Sequence, residues 1–180
     1  MKTTSIILAA GQGTRMKSDL PKILHPVCGK PMVWHALQTA RVVSKETPVM
    51  IVGHGADGVR DTISSAARFV VQAERLGTGH AVQQAESTLK GNTDLVLVSA
   101  ADMPLLSGET LSKLVKTQKA NTGPMTMLTI FAEDQRGFGR IMRGGDDGVR
   151  AIVEEADCTE EQKAVKEVNV GAYCFDAEWL

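Results

Sequence analysis

Ser5-Ile-Ile-Leu-Ala9 is an apolar run of strand length that breaks at once into the glycine-rich loop Ala10-Gly-Gln-Gly-Thr-Arg-Met16. That pairing reads as a buried strand with its exit. Working outward, the same unit recurs three times. Pro48-Val-Met-Ile-Val52 closes on Gly53-His-Gly55, Phe69-Val-Val71 runs into Gln72, and Asp94-Leu-Val-Leu-Val98 runs into Ser99-Ala-Ala-Asp-Met-Pro104. Helical segments lie between them. Pro31 suits a first helical residue, and Val33, Leu37, Ala40 and Val43 form one stripe at helical spacing, which Met32 and Trp34 extend as core residues. Residues 57–67 and 79–89 predict two more helices, and Ser107 caps another over 108–119.

Four βα units in succession predict an α/β fold with a Rossmann-like, doubly wound, mostly parallel sheet. Past residue 120 the helical pattern thins, and residues 125–131, 139–143, 148–153 and 168–175 read as strands of a mixed, β-rich second half. Right-handed crossovers collect the loops after Ala9, Val52, Val71 and Val98 on one rim, which is where chemistry is expected.

The chain has 180 residues, 43% hydrophobic and 23% charged, which suits one globular domain over 1–180. A formal net charge of −1 provides no global attraction for nucleic acid or for a membrane, so any anion binding must be local. The first apolar run is too short to span a bilayer and no signal-peptide pattern precedes it, so a cytoplasmic protein is expected. Cys28, Cys158 and Cys174 form no CxxC pair and read as reduced, buried or half-buried small hydrophobes. The four histidines lack metal-ligand spacing.

Gly11-x-Gly13 lacks the third glycine of a dinucleotide fingerprint and the Gly-Lys-Ser/Thr ending of a P-loop. Two glycines still permit close backbone approach, their N–H groups can hold a polyanion, and Arg15 and Lys22 add two cations. A glycine-rich strand exit with solvated charges accounts for the same residues equally well. Asp102 similarly reads either as a carboxylate on the common rim or as a turn residue before Pro104.

Seven blocks, taken in order, carry a resemblance. They are Leu8-Ala-Ala-Gly-Gln-Gly-Thr-Arg-Met16 with Pro21-Lys-Ile-Leu-His25, Gly29-Lys-Pro-Met-Val-Trp-His35, Gln72-Ala-Glu-Arg-Leu-Gly-Thr-Gly-His-Ala81, Ala101-Asp-Met-Pro-Leu105, Gly137-Phe-Gly-Arg-Ile141, Ile152-Val-Glu-Glu155 and Val168-Asn-Val-Gly171. Together they cover nearly the whole chain. The sequence resembles the sugar-phosphate nucleotidyltransferases, and within them the uridyltransferase domains that act on N-acetylglucosamine 1-phosphate.

The resemblance implies a transfer from UTP to an amino-sugar 1-phosphate, giving UDP-N-acetylglucosamine and pyrophosphate with Mg²⁺ as cofactor. In that reaction the attacking phosphate oxygen is already anionic, so the protein aligns polyanions and neutralises charge. The resemblance assigns catalytic roles to Arg15, at the departing β- and γ-phosphates, and to Lys22, near the α-phosphate. It assigns nucleotide contacts to Leu8, Ala9, Ala10, Gly11, Gly13, Gln72, Gly77 and Thr78. Asp102 becomes the metal ligand, and Gly139, Glu154 and Asn169 surround the sugar. Residues 1–120 are then the nucleotide-binding core and residues 121–180 the sugar-binding part.

Ala100 and Ala101 stand where the family usually has an aromatic residue and a glycine, and Val170 stands where it often has a hydroxyl residue. The family's second metal ligand, an asparagine, lies further along than residue 180, so the resemblance implies a domain cut short at its carboxyl end. No hexapeptide repeats of an acetyltransferase β-helix are present in these 180 residues, and no oligomeric state is implied. Two other readings remain. One is a sugar- or polyol-phosphate nucleotidyltransferase with CTP or TTP as donor, against which Leu76-Gly-Thr-Gly-His-Ala81 argues; the other is a catalytically weak nucleotide-binding fragment.

Overall fold

β1 (Thr3–Ala9) is buried along almost its whole length, so both of its edges must be paired. The computed structural model describes every residue except Gln12, Thr14, Arg15, His54, Gly55 and Arg75. After β1 come a short hairpin, β2 (Pro26–Val27) and β3 (Lys30–Pro31), and then helix α1 (Met32–Val43). Next are β4 (Val49–Val52), α2 (Asp57–Ile63), β5 (Arg68–Val71), α3 (Thr78–Gln83), α4 (Glu86–Leu89), β6 (Leu95–Ala100) and α5 (Gly108–Ala120). The chain then forms β7 (Met125–Phe131), β8 (Arg140–Arg143), β9 (Val149–Val153), α6 (Glu160–Lys163) and β10 (Glu167–Asp176).

Two compact units result: Met1–Thr126 together with Tyr173–Leu180, and Met127–Ala172. In the first, four parallel strands lie in the order β5-β4-β1-β6, and the end of β10 pairs antiparallel with β6, Tyr173 opposite Val98. Period-2 alternation sends neighbouring residues to opposite faces. Ile7, Ala9, Met50 and Val52 pack with Val33, Leu37 and Ala40 of α1 and Val59 and Ile63 of α2. Ile6, Val49, Ile51, Val96 and Val98 pack with Ala81 and Val82 of α3 and Leu89 of α4. With about 1.5–3 kcal/mol for each large apolar side chain removed from water, both layers hold the sheet. This is the doubly wound, mostly parallel arrangement that the sequence pattern predicts.

Several local expectations change. Pro31 is not the first helical residue; it ends β3 with an extended ψ of 147° and precedes α1. Met32 and Trp34 are half-buried rather than core, because the inward stripe centres on Val33, Ala36, Leu37 and Ala40 and leaves them on its flanks. Trp34 instead meets the His35 ring edge-on and takes the Lys30 ammonium 5.8 Å from its ring centre. The helix predicted over 57–67 stops at Ile63, where Ser64 turns to φ +52°. That predicted over 79–89 is two short helices, with Ala85 donating to Val82 in a tighter turn between them. Ser107 does cap α5, its hydroxyl accepting from the Thr110 N–H at 3.1 Å. Cys158 and Cys174 are buried, whereas Cys28 is exposed in the β2–β3 turn at φ +49°. Burial pushes the Cys174 thiol up to about 12. Among the described residues no helix is long and apolar enough to cross a membrane.

In the second unit β8 pairs antiparallel with β9, and Val168 of β10 lies opposite Arg140. Its buried carboxylate, Glu167, is 5% exposed and is held by the Arg143 guanidinium through two hydrogen bonds of 2.7 Å, with a third from the Thr129 hydroxyl at 2.7 Å. Arg143, then the Thr129 hydroxyl, hold this carboxyl below its ordinary value of 4.5 against the opposing effect of burial. A lowered folded pKa means stabilisation that is present at neutral pH and lost as pH falls from the ordinary carboxyl range through the folded value. Urea unfolding should therefore show a weaker second unit at pH 3 than at pH 7. Glu167→Gln should be weaker at pH 7 and should show a smaller difference between the two pH values.

Thiol titration supplies a second check on the fold. One cysteine, Cys28, should react with an aromatic disulfide reagent in the native protein, and Cys158 and Cys174 should react after unfolding. Protection of Cys28, or fast native labelling of Cys174, would contradict the packing described.

Candidate functional site

Strand order reverses between β1 and β6, and ligands of open α/β sheets bind beyond the carboxyl ends of strands at such a switch point. The register there places Leu8 opposite Ala100, and the Ala101 N–H extends the ladder to the Leu8 carbonyl at 2.9 Å. Asp102 is thereby set beside the exit of β1. Lys22 reaches the same place from a single 3₁₀ turn, Lys22–Leu24, that follows Pro21 and is anchored by buried Ile23 in the α1–α2 layer. Its Nζ donates to Asp102 Oδ2 at 2.8 Å across 80 residues of sequence. Both side chains are a little over one third exposed, so the pair adds about 0–1 kcal/mol and leaves both charges accessible to a ligand.

The loop glycines have separate reasons. Gly13 adopts φ +60°, and a Cβ there would collide with the Cβ of Lys22. Gly13 itself therefore lies against the lysine stem. A Cβ on Gly11 would meet nothing within 4 Å, and this exposed residue faces open space. Ala9 is buried, while Leu8 and Ala10 are half-buried at the strand end. Arg15 lies outside the described residues.

A second cluster forms at the exit of β5. Gln72 continues the ladder from Val52, its N–H donating at 2.8 Å, and its side chain is 4% exposed. Its Nε2 donates to the Gly77 carbonyl at 3.2 Å and stands 3.1 Å from His80 Nδ1. Gly77 precedes α3 at φ +101°, a conformation that asks for glycine, and Thr78 is exposed on the first turn. The structure thus brings Gln72 and Gly77 together and adds two residues that the sequence reading did not single out, His80 and Gln84. Their i, i+4 spacing, His80 on α3 and Gln84 at its C-cap, within and just beyond the block Leu76-Gly-Thr-Gly-His-Ala81, is the signal that could have found them.

The three predicted sugar contacts converge within the second unit. The Asn169 N–H donates to the Gly139 carbonyl at 2.8 Å, and a Cβ on Gly139 would lie 3.2 Å from Glu154 Oε1. Asn169 Oδ1 accepts from the Gly171 N–H at 3.1 Å. Arg140 was also not singled out. It is 3% exposed and clamps the preceding loop by donating to the carbonyls of Gln135, at 2.8 Å, and Phe138, and to Glu155 at 3.3 Å. Glu155 accepts from the Gly137 N–H at 2.8 Å, and that bond, followed by the Arg140 fork, holds its carboxyl below the usual range against the opposing effect of burial.

No group of three or more His, Cys, Asp or Glu able to hold a metal occurs among the described residues. Asp102 is a carboxylate at the switch point, beside the exit of β1. Its donor set matches a hard cation that keeps several waters and takes one or two carboxylates plus ligand phosphates, rather than a protein-built cage.

A family model described as the MobA-like NTP transferase domain matches residues 5–161. The chain is 49% identical over 179 residues to the bifunctional protein GlmU of Bacillus licheniformis and 46% identical over 179 residues to that of Bacillus subtilis. Each match covers 99% of this chain and 39% of the relative, so the chain spans about two fifths of the length of these proteins. A solved structure of a Bacillus anthracis protein, described as a glucose-1-phosphate thymidylyltransferase, superposes with a TM-score of 0.77 at 22% identity, covering 98% of this chain and 72% of that one. At that identity it shares the fold.

The crowding at Gly13 yields a test. Gly13→Ala should lower stability by about 1–3 kcal/mol in thermal unfolding, through the strained φ and the clash with Lys22. Gly11→Ala should stay within about 0.5 kcal/mol of the parent protein.

Proposed function

The chain belongs to the MobA-like NTP transferase domain family, and on that premise we propose that it transfers a uridylyl group from UTP to N-acetylglucosamine 1-phosphate, releasing pyrophosphate. The observation that carries this reading is the half-exposed Lys22–Asp102 pair at the β1–β6 switch point, a cation and a carboxylate side by side where a nucleotide would lie. GlmU relatives at 46–49% identity support the choice of reaction within the family.

The sugar phosphate oxygen attacks the α-phosphorus, the bond to the β-phosphate oxygen breaks, and pyrophosphate leaves with the electron pair. No protein nucleophile is needed. Lys22 turns from Asp102 toward the α-phosphate, where a charge-assisted bond is strongest on the charge that grows in the transition state. Arg15 is assigned to the departing β- and γ-phosphates, the backbone of Gly11 and Gly13 supplies N–H donors beside it, and Leu8, Ala9 and Ala10, with Gly11, line the nucleoside. Gln72, Gly77 and Thr78 read the base. Asp102 would hold Mg²⁺, which when bound neutralises phosphate charge. Gly139, Glu154 and Asn169 are assigned to the amino sugar, a carboxylate and an amide being suitable partners for hydroxyl and acetamido groups. The reading places the protein in the cytoplasm, in the supply of cell-envelope precursors.

Pyrophosphate release, followed with N-acetylglucosamine 1-phosphate, Mg²⁺ and each of UTP, CTP and TTP, tests the reaction. UTP should be the preferred donor, and a folded sample that forms no UDP-sugar overturns the proposal. Lys22→Ala should keep the fold by circular dichroism and lose about 10- to 150-fold in rate, the scale of one charge-assisted contact of about 1.5–3 kcal/mol. Near-full activity in that variant would remove Lys22 from the machinery.

A further inference from the structure

We propose that His80 is a positioning residue that locks the Gln72 side-chain amide so that it offers the base an acceptor and no donor. The proposal rests on the uridylyltransferase reading for the identity of the base. The Gln72 Nε2 stands 3.2 Å from the Gly77 carbonyl, which can only accept, and one amide hydrogen is used there. The second points at His80 Nδ1, 3.1 Å away, which must then bear a lone pair. Neutral imidazole carries one N–H, so the proton of His80 sits on Nε2.

Nε2 faces the side-chain amide of Gln84 at 3.1 Å, and that amide also stands 3.2 Å from the His80 carbonyl. Two amide nitrogens cannot both donate to one neutral imidazole, so one glutamine must turn its oxygen to the ring. The Gly77 and His80 carbonyls each already accept a backbone N–H, from Ala81 and Gln84, so neither distinguishes the two. Burial does. Gln84 is half-buried and can exchange its side-chain partners with water, whereas Gln72 is 4% exposed and has none to exchange. Gln84 therefore gives its Oε1 to the ring N–H, and Gln72 keeps both hydrogens inside the protein.

Among the described residues no group hydrogen-bonds Gln72 Oε1, which is left for a ligand. Uracil has one donor on its pairing edge, N3–H, between two carbonyls, and Oε1 accepts from it. Cytosine presents a lone pair at N3, which an immobilised oxygen repels. An unlocked glutamine would rotate its amide and serve either base. The lock on His80 is thus what converts an ambidextrous side chain into a selective one.

Nitrogen-resolved NMR of the ligand-free 180-residue chain at neutral pH reads the tautomer without reference to any nucleotide. His80 should be protonated at Nε2 and bare at Nδ1, and the opposite tautomer overturns the lock. Calorimetric dissociation constants for UTP and CTP then test its consequence in the parent chain, His80→Ala and His80→Asn. The parent should prefer UTP by about tenfold or more, the scale of one hydrogen bond gained against one repelled. His80→Ala should lose most of that preference, and His80→Asn, whose side-chain oxygen can receive the Gln72 hydrogen, should regain part of it. An undiminished preference in folded His80→Ala overturns the role of His80, and so does an Asn variant that behaves like Ala. Failure of the parent chain to bind UTP overturns the uridylyltransferase reading instead, and the NMR result still decides the lock.

Discussion

The parallel pairing of β1 with β6 is the constraint on which the rest depends. Its six-residue register runs from Thr3 opposite Leu95 to Leu8 opposite Ala100, and the Ala101 N–H carries it one step past the strand end. Parallel strands cannot be joined by a tight turn, so helical crossovers intervene, three of them before β6 arrives, and their apolar faces become the two core layers. A slip of one residue would send Ile6 and Ile7 to each other's layer and carry Asp102 away from the β1 exit. The register is held by the core. The Lys22–Asp102 ion pair is its consequence and adds little to stability, which is why its members can exchange partners when a polyanion arrives.

Glycine and buried polar groups do the finer placing. Gly13 lets the backbone lie against the stem of Lys22, and Gly77 turns the chain into α3 so that its carbonyl meets the Gln72 amide. In the second unit the same work falls to buried charge. Arg140, 3% exposed, ties the carbonyls of its own preceding loop to Glu155, and Glu167 is satisfied by Arg143 and Thr129. Removing one member of such a set strands the other without a partner, so these groups specify geometry more than they add net stability.

Much of this was legible in the sequence. The four parallel strands came from short runs of three to five residues, and for β1, β4 and β6 the run is apolar because a strand buried on both faces has little polar alternation. The rim loops followed from chain direction. Less legible was anything set by where a helix rolls against the sheet: Met32 and Trp34 lie on the flanks of the α1 stripe, a shift of one residue around the helix that an apolar count does not resolve. The split between α3 and α4 at Ala85 was hidden for the same reason, because Ala85 is a good helix former that is fully buried at the break.

Sequence by itself determined the fold class, the rim and the residue types on it, because periodicity, chain direction and glycine placement are local properties. The resemblance carried by its motifs named the candidates Lys22, Asp102, Gln72, Gly139, Glu154 and Asn169. Tertiary structure alone decided which of them meet: Lys22 with Asp102, Gln72 with Gly77, and Gly139 with Glu154 and Asn169. It alone supplied His80 beside Gln72, Gln84 beside His80, and the Arg140–Glu155 pair around residues 135–138. Hydrogen bonds between residues distant in sequence are set by strand register and helix roll, and those are properties of the packed core that no single stretch of sequence carries.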